Sequence, residues 1–220
     1  MLPTGLGSLT GRVFAAVLFD LDGTLIDSTP AVERSWATWA AEFDVQLPAE
    51  SWHGIPAKQL VMHLLPAPRI PDGLRRIDEI EVADVEGILA LPGSGEALGA
   101  LPGGRAAIVT SCVWDLAIAR IGATGLNAPA VIVTADQVSI GKPDPAPFLL
   151  AASRLGVDPA DCLVLEDAPA GLTAGRAAGA SLLAVSTTHP PAELEADAVV
   201  GGLSAVRFIA SEDGVRLALA

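Results

Sequence analysis

The sequence predicts an α/β fold, with a parallel sheet, crossover helices between its strands and a helical insertion after the first strand. Apolar strand-like runs alternate with helical stretches over most of the 220 residues, a pattern typical of parallel strands joined by helices. Between about residues 27 and 91, apolar residues recur at helical spacing instead. We therefore expect a core domain formed by residues 1–26 and 92–220, and a small helical domain formed by residues 27–91.

Five apolar runs are the predicted strands of the sheet. They cover residues 13–19, 105–109, 130–133, 161–165 and 181–185. Helices are predicted over residues 114–121, 145–155 and 169–178, because each begins near a proline or polar residue and each is followed by a glycine: Gly122, Gly156 and Gly179. At the chain ends, the first twelve residues lack the features of a secretory signal and are interpreted as a loose lead-in. Residues 212–214, Glu-Asp-Gly, predict a hairpin turn.

The predicted insertion carries three apolar stripes at helical spacing and no convincing strand. The stripes are Trp36, Trp39, Ala40 and Phe43; Leu60, Met62, Leu64 and Leu65; and Ile77, Ile80, Val85, Ile88 and Leu89. Three of the four tryptophans, Trp36, Trp39 and Trp52, fall within it. We interpret this cluster as a small helical core that needs large side chains, in preference to an aromatic ligand box.

Composition and charge narrow the classes of function. The formal net charge of −13, from 26 acidic and 13 basic residues, argues against a nucleic-acid partner, whose phosphates it would repel. No run approaches the roughly 18 apolar residues of a membrane span. Cys112 and Cys162 lie far apart without metal-site spacing, so we expect reduced, buried thiols. We expect a cytoplasmic protein that is a monomer or a weak homo-oligomer.

Polar side chains follow each of the first four predicted strands. Asp20 and Asp22 follow the first strand, Thr110 and Ser111 the second, Gly141-Lys142-Pro143 lies in the loop after the third, and Glu166 and Asp167 follow the fourth. Parallel α/β sheets bind ligands at the carboxyl ends of their strands. Acids gathered at one edge repel one another unless a cation lies among them, and oxygen-only ligands favour Mg²⁺. The sequence therefore predicts a magnesium site formed by Asp20, Asp22, Glu166 and Asp167.

These residue types also suit phosphate chemistry. Mg²⁺ commonly takes a substrate phosphate oxygen as a ligand, and Lys142 would add a second cation. Thr110 and Ser111 are candidate donors to phosphate oxygens, and Gly23 would let the backbone approach closely. A carboxylate can attack phosphorus to form an aspartyl phosphate, and a second carboxyl two residues later can act as acid and then base. We assign Asp20 as nucleophile and Asp22 as acid/base; which of Glu166 and Asp167 ligates the metal directly stays open.

Four motifs resemble those of the haloacid dehalogenase-like hydrolases. They are Phe19-Asp-Leu-Asp-Gly-Thr-Leu25, Thr110, Gly141-Lys-Pro143 and Leu165-Glu-Asp167, in the expected order and on the expected elements. The resemblance implies a Rossmann-like core with a helical cap that closes over phosphate esters of small metabolites. Residues 52–58, Trp-His-Gly-Ile-Pro-Ala-Lys, resemble a cap segment of sugar-phosphate and glycerol-phosphate phosphatases. That resemblance implies substrate contacts from His53, Gly54 and Lys58.

We therefore expect a Mg²⁺-dependent phosphatase that hydrolyses a small sugar or polyol phosphate through an aspartyl phosphate. One alternative is a phosphosugar mutase of the β-phosphoglucomutase type, which would need a bisphosphate activator; Ala57 stands where those mutases place an arginine, which weakens this interpretation. Another is a phospho-accepting signalling domain, which also collects acids, Thr/Ser and Lys around Mg²⁺. Such a domain needs neither a helical cap nor the second aspartate.

Overall fold

The computed structural model describes residues 6–48 and 57–220. Helices and strands alternate along most of this length. In chain order they are α1 (Leu6–Thr10), β1 (Ala16–Phe19), β2 (Ile26–Asp27), α2 (Thr29–Phe43), α3 (Ala57–Leu64), α4 (Ile70–Ala83), β3 (Leu89–Ala90), α5 (Ser94–Gly99), β4 (Ala106–Val109), α6 (Trp114–Thr124), β5 (Val131–Val133), α7 (Ala146–Leu155), β6 (Cys162–Glu166), α8 (Pro169–Ala177), β7 (Ser181–Val185), β8 (Ala198–Val200), β9 (Val206–Ser211) and β10 (Gly214–Leu219).

The described residues form a six-stranded, wholly parallel sheet in the order β5-β4-β1-β6-β7-β8. Counted along the chain this is the doubly wound order 3-2-1-4-5-6, in which the strand order reverses beside the first strand. The predicted Rossmann-like α/β fold is therefore confirmed. Each of the five predicted strands is present, and the sheet adds β8, whose three residues are too few to show a pattern in the sequence.

Side chains that alternate along the strands fill two separate layers of core. Val17 and Phe19 of β1 point to one face of the sheet, and Ala16 and Leu18 point to the other. The first face packs against α5, α6 and the β9–β10 hairpin, the second against α7 and α8. Because both faces are covered, the strands are apolar along most of their length, as is usual for parallel sheets. The hairpin predicted near residue 213 is confirmed, with Gly214 paired to Ser211.

The helical insertion, α2 to α4, has a small core of its own. Trp36 and Trp39 meet edge to face with ring centroids 5.2 Å apart, and the indole N–H of Trp39 donates to the Gly73 carbonyl at 2.8 Å. These rings pack with buried aliphatic side chains of α3 and α4, so the structural interpretation of the two tryptophans is confirmed. Trp52 lies outside the described residues. The antiparallel pair β2–β3 carries the chain out to the insertion and back.

Several local predictions are wrong at the ends of elements. Residues 6–10 form α1, with Leu6 and Leu9 buried, so this part of the expected lead-in is packed against the core. Helix α6 continues through Gly122 to Thr124, because the left-handed cap is Gly125, at φ 69°.

Among the described helices, none combines the length and apolar character needed to cross a membrane.

The third apolar stripe does not form one helix. Helix α4 ends at Ala83, and beyond it Ile88 packs into the core of the main sheet while Leu89 is exposed. Met62, counted in the second stripe, is also exposed. The apolar spacing correctly predicts helix α4 as far as Ala83. It does not reveal where the chain leaves the core of the insertion and enters the core of the main sheet.

Candidate active site

The loop after β1 brings a buried carboxylate to the carboxyl edge of the sheet. Asp20 donates its backbone N–H to the Leu165 carbonyl of β6 at 2.9 Å, and its side chain is buried. Three residues later the chain turns at Gly23, where φ is +83°. A Cβ atom at this position would collide with the carboxylate of Asp167. Only glycine fits, because the turn needs positive φ and the neighbouring carboxylate leaves no space.

Lys142 connects the acids of two neighbouring strands. Its Nζ donates to Asp20 Oδ1 at 2.6 Å, to Glu166 Oε1 at 2.6 Å and to the Val109 carbonyl at 2.8 Å. The side chain is buried, and its ammonium lies 5.2 Å from the centre of the Phe148 ring. Burial opposes the charge, but Asp20 and Glu166 outweigh it and hold the pKa of Lys142 above its usual value. A charged ammonium is therefore fixed between two carboxylates.

Asp20, Glu166 and Asp167 form an acidic triad. Each offers a carboxylate oxygen, and these oxygens lie within 4.8 Å of one another. Burial, followed by the charge of Glu166, raises the pKa of Asp20 to about 8. Burial, followed by the charge of Asp20, raises the pKa of Asp167 to about 7, and burial also raises the pKa of Glu166. Three buried carboxylates facing one ammonium lack positive charge, and such an oxygen-only set fits a hard divalent cation.

The triad is oriented by residues that sequence reasoning missed. Asp167 accepts hydrogen bonds from the Thr24 hydroxyl at 3.3 Å and from the Thr188 hydroxyl. Gly171 of α8 lies against Glu166 so closely that a Cβ there would overlap its carboxylate. A glycine inside a predicted helix costs about 1 kcal/mol relative to alanine, which is a sequence signal of close approach. Thr188 carries no such signal.

Thr110 and Ser111 follow β4 at the same edge. The backbone N–H of Thr110 donates to the Val133 carbonyl at 2.9 Å, and its buried hydroxyl accepts from the Cys112 N–H at 3.1 Å. The carbonyl of Val109, one residue earlier, is the one that Lys142 binds. Ser111 is exposed. The structure thus places Thr110 beside the triad and lysine, with Ser111 on the adjoining surface.

Asp22 has a different set of partners. Its Oδ1 accepts from Arg120 Nη1 at 2.8 Å and from the Ser28 hydroxyl at 2.6 Å, and its Oδ2 lies 3.1 Å from Cys112 Sγ. Although we predicted Asp22 as a metal ligand too, its carboxylate is not part of the triad. Arg120 was missed; the available signal was an arginine four residues after Leu116, on the apolar face of the helix.

The remaining predictions concern the thiols and the insertion. Cys112 and Cys162 are free and buried, as expected, and burial raises the pKa of both. His53 and Gly54 lie outside the described residues. Lys58 is exposed in the first turn of α3.

The fold and site together define a class: a Rossmann-like enzyme with a buried acid–lysine centre at its strand ends. A model of the haloacid dehalogenase-like hydrolases matches residues 14–179. Hexitol phosphatase A of Escherichia coli (strain K12) is 41% identical over 206 residues, 90% of this chain and 95% of that protein. Glycerol-1-phosphate phosphohydrolase 2 of Saccharomyces cerevisiae is 33% identical over 187 residues, 79% of this chain and 75% of that protein. CbbY from Rhodobacter sphaeroides, solved with phosphate, superposes with a TM-score of 0.71 at 26% identity, over 86% of this chain and 95% of that chain. The chain therefore belongs to the haloacid dehalogenase-like hydrolase family.

Proposed function

We propose that this protein is a Mg²⁺-dependent phosphatase that hydrolyses a small sugar or polyol phosphate through an aspartyl phosphate on Asp20. The observation that carries the proposal is the acidic triad, whose oxygens lie within 4.8 Å of one another, with Lys142 joined to two of its members. The family assignment supports hydrolysis. The names of the relatives, a hexitol phosphatase and a glycerol-1-phosphate phosphohydrolase, support the substrate class.

Asp20, Glu166 and Asp167 would hold the metal ion. When bound, Mg²⁺ supplies positive charge that neutralises the phosphate of the substrate and favours the anionic form of Asp20. The raised pKa values of Asp20 and Asp167, which burial and then a neighbouring carboxylate cause, support this assignment, because a bound cation would offset both effects. Gly23 allows the loop after β1 to lie against Asp167. This close approach keeps Asp20, at the start of the loop, and Asp167 in fixed relative positions.

Asp20 is the nucleophile in this proposal. One of its oxygens attacks phosphorus, a P–O bond to Asp20 forms and the P–O bond to the sugar or polyol oxygen breaks. Lys142 donates a hydrogen bond to the Asp20 carboxylate at 2.6 Å, so the attacking group is fixed before substrate arrives. Thr110, Ser111 and the backbone at Gly23 provide hydrogen bonds to phosphate oxygens.

Asp22 is the acid/base. It gives a proton to the departing oxygen and then removes one from the water that attacks the aspartyl phosphate, so that inorganic phosphate and free Asp20 are regenerated. Its position two residues after Asp20 supports this role. Arg120 donates to its carboxylate at 2.8 Å, and the carboxylate is the form required for the second, water-activating step.

Residues 27–91 are proposed as a cap that covers the site and selects the substrate. Core residues 1–26 and 92–220 would supply the chemistry, while His53, Gly54 and Lys58 would contact the sugar or polyol part. Lys58 is suited to such a contact, because its side chain is exposed and does not form part of the helical core. We further propose that the enzyme works in the cytoplasm on a free metabolite, as a monomer or weak homo-oligomer.

A phosphate-release assay tests the function. The purified chain would be incubated with a panel of sugar and polyol phosphates, with Mg²⁺ and with EDTA. We expect turnover only with Mg²⁺, and none in D20N. The matched control is D213N, an exposed aspartate in the hairpin turn, which should behave as wild type.

The outcomes separate the candidate functions. Full activity in D20N would contradict the nucleophile assignment. An isomerised sugar phosphate without net phosphate release, dependent on a bisphosphate, would identify a mutase. A phosphoenzyme that lasts for minutes would point to a signalling domain, because a phosphatase hydrolyses its intermediate rapidly.

A further inference from the structure

Arg120 forms an ion-pair bridge between the core and the helical insertion. Its Nη1 donates to Asp22 at 2.8 Å, and its Nη2 donates to Glu81 Oε1 at 3.0 Å. Arg120 lies on α6 of the core, Asp22 lies in the loop after β1, and Glu81 lies in the last turn of α4. The side chains of Arg120 and Glu81 are 6% and 8% exposed. The bridge is therefore built inside the protein, at the point where the insertion returns to the core.

The geometry leaves Arg120 little freedom. Its guanidinium presents donors in a rigid plane, so a shift of one nitrogen moves the other. Its Nε is buried and finds no acceptor in residues 6–48 and 57–220, so the head group is held through Nη1 and Nη2. Nη1 also lies 3.3 Å from Cys112 Sγ, which contacts Asp22 as well. The Asp22 carboxylate, which the Ser28 hydroxyl also binds at 2.6 Å, is thus linked through Arg120 to Glu81.

We propose that Arg120 is a positioning residue for Asp22, and that Glu81 fixes Arg120, so that the acid/base is correctly placed only when helix α4 is docked on the core. This inference rests on the proposed function, in which Asp22 transfers the proton. It adds two residues to the machinery that neither touch the triad nor come from a strand end. It also makes the insertion part of the proton-transfer apparatus, in addition to its proposed role in selecting substrate.

A purely structural role for the bridge predicts something different. In that case Arg120 would serve only as the partner of the buried Glu81 carboxyl group, and replacing both side chains together would restore stability and activity alike. If Arg120 positions Asp22, replacing both side chains restores stability but leaves Asp22 misplaced. The double variant E81L/R120M therefore separates the two roles, when compared with E81L and R120M singly.

The kinetic experiment uses two esters with Mg²⁺. Glycerol 1-phosphate releases an alkoxide that needs a proton, whereas p-nitrophenyl phosphate releases a group that needs little help. We expect R120M to lower kcat/KM for the alkyl ester about 100-fold, and the aryl ester much less. E81L should cost about tenfold on the alkyl ester, since Arg120 keeps Asp22 but loses its anchor. The double variant should match R120M in kinetics while melting at a higher temperature than R120M.

The control is R76M, which removes an exposed ion pair with Glu42 from the same helix α4 and should leave both esters unaffected. Recovery of activity in the double variant, or equal losses on both esters, would overturn the proposal. If the wild type hydrolysed neither ester nor any of the panel, the proposed function would fail separately. Crystal structures of wild type and R120M would then decide the positioning itself: a displaced Asp22 carboxylate supports it, and an unmoved one overturns it.

Discussion

The described residues contain two buried cations, and each is shared between two carboxylates. Lys142 lies between Asp20 and Glu166 at 2.6 Å from both. Arg120 lies between Asp22 and Glu81 at 2.8 and 3.0 Å. The lysine cluster is made wholly from core strand ends and loops, whereas the arginine cluster joins the core to the insertion. The two clusters therefore share one arrangement of charges but differ in the parts of the chain that supply them.

The difference between the clusters lies in what each still lacks. Beside Lys142 a third carboxylate, Asp167, completes a set of oxygens that fits a divalent cation. Beside Arg120 the two acids are joined by a rigid fork, and further hydrogen bonds from Ser28 and Cys112 occupy Asp22. The first cluster thus suits the proposed metal ion and phosphate, and the second suits the proposed positioning of the Asp22 carboxylate.

The largest expected effect is the loss of Lys142. In K142M, Asp20 and Glu166 lose their shared partner, and the site loses a cation beside the proposed nucleophile. We expect kcat to fall about 10³-fold, measured by phosphate release with saturating Mg²⁺. R207M, on the exposed face of β9, is the control for loss of one positive charge. A K142M enzyme with more than a tenth of wild-type kcat would remove the lysine from the mechanism.

The second-largest expected effect is the change in melting temperature on metal binding, which should depend on the lysine cluster and not on the arginine cluster. A ligand present at 100 times its Kd stabilises the folded state by about 2.7 kcal/mol, so Mg²⁺ should raise the melting temperature of wild type and EDTA should reverse the rise. D167N should lose this response because it removes one oxygen ligand of the triad. R120M should keep it, since Arg120 does not contact the triad. A retained response in D167N would place the metal elsewhere.

The lysine cluster could be predicted from the sequence because its acids lie at strand ends and its lysine lies in a loop that follows a strand. Asp20 and Glu166 end neighbouring parallel strands, and strand ends meet at one edge whatever the details of packing. Lys142 comes from a loop of the same edge. Local sequence was therefore enough to name the fold class, the lysine and the three acids of the triad, although it also included Asp22, which lies outside the triad.

The arginine cluster could not be predicted in this way. Its members lie far apart in the chain, and Glu81 meets Arg120 only because α4 of the insertion docks on α6 of the core. No local pattern encodes that docking. The same limit explains why Ile88 was assigned to a helix of the insertion although it packs under the main sheet: the apolar spacing of a segment does not say which of two cores it enters.

The pH dependence of stability should report on Glu81. Burial raises the pKa of Glu81 to about 7, although Arg120 opposes the rise and Asp22 and Asp78 add to it. The folded chain therefore holds a proton that the unfolded chain has lost above its ordinary value near 4.5. This stabilisation is fully present below that value and is lost as the pH rises through 7. Between pH 5 and 8, wild type should lose on the order of 2 kcal/mol relative to E81Q, measured by urea unfolding in EDTA. Parallel curves for the two proteins would show that Glu81 titrates normally.

The smallest effect is expected at a second arginine near the same junction. Arg34 binds Asp84 through two hydrogen bonds, at 2.7 and 2.9 Å, and donates to the Glu86 carbonyl at 2.6 Å, so it joins α2 to the segment after α4 much as Arg120 joins α4 to the core. Its side chain, however, is 45% exposed, and exposed ion pairs are screened by water and salt. R34M should lower the melting temperature by less than roughly 2 °C, less still at high salt, and should leave kcat unchanged. A loss of kcat as large as that of R120M would mean that any bond at this junction controls the site. A small loss would show that the effect of Arg120 depends on its contact with Asp22.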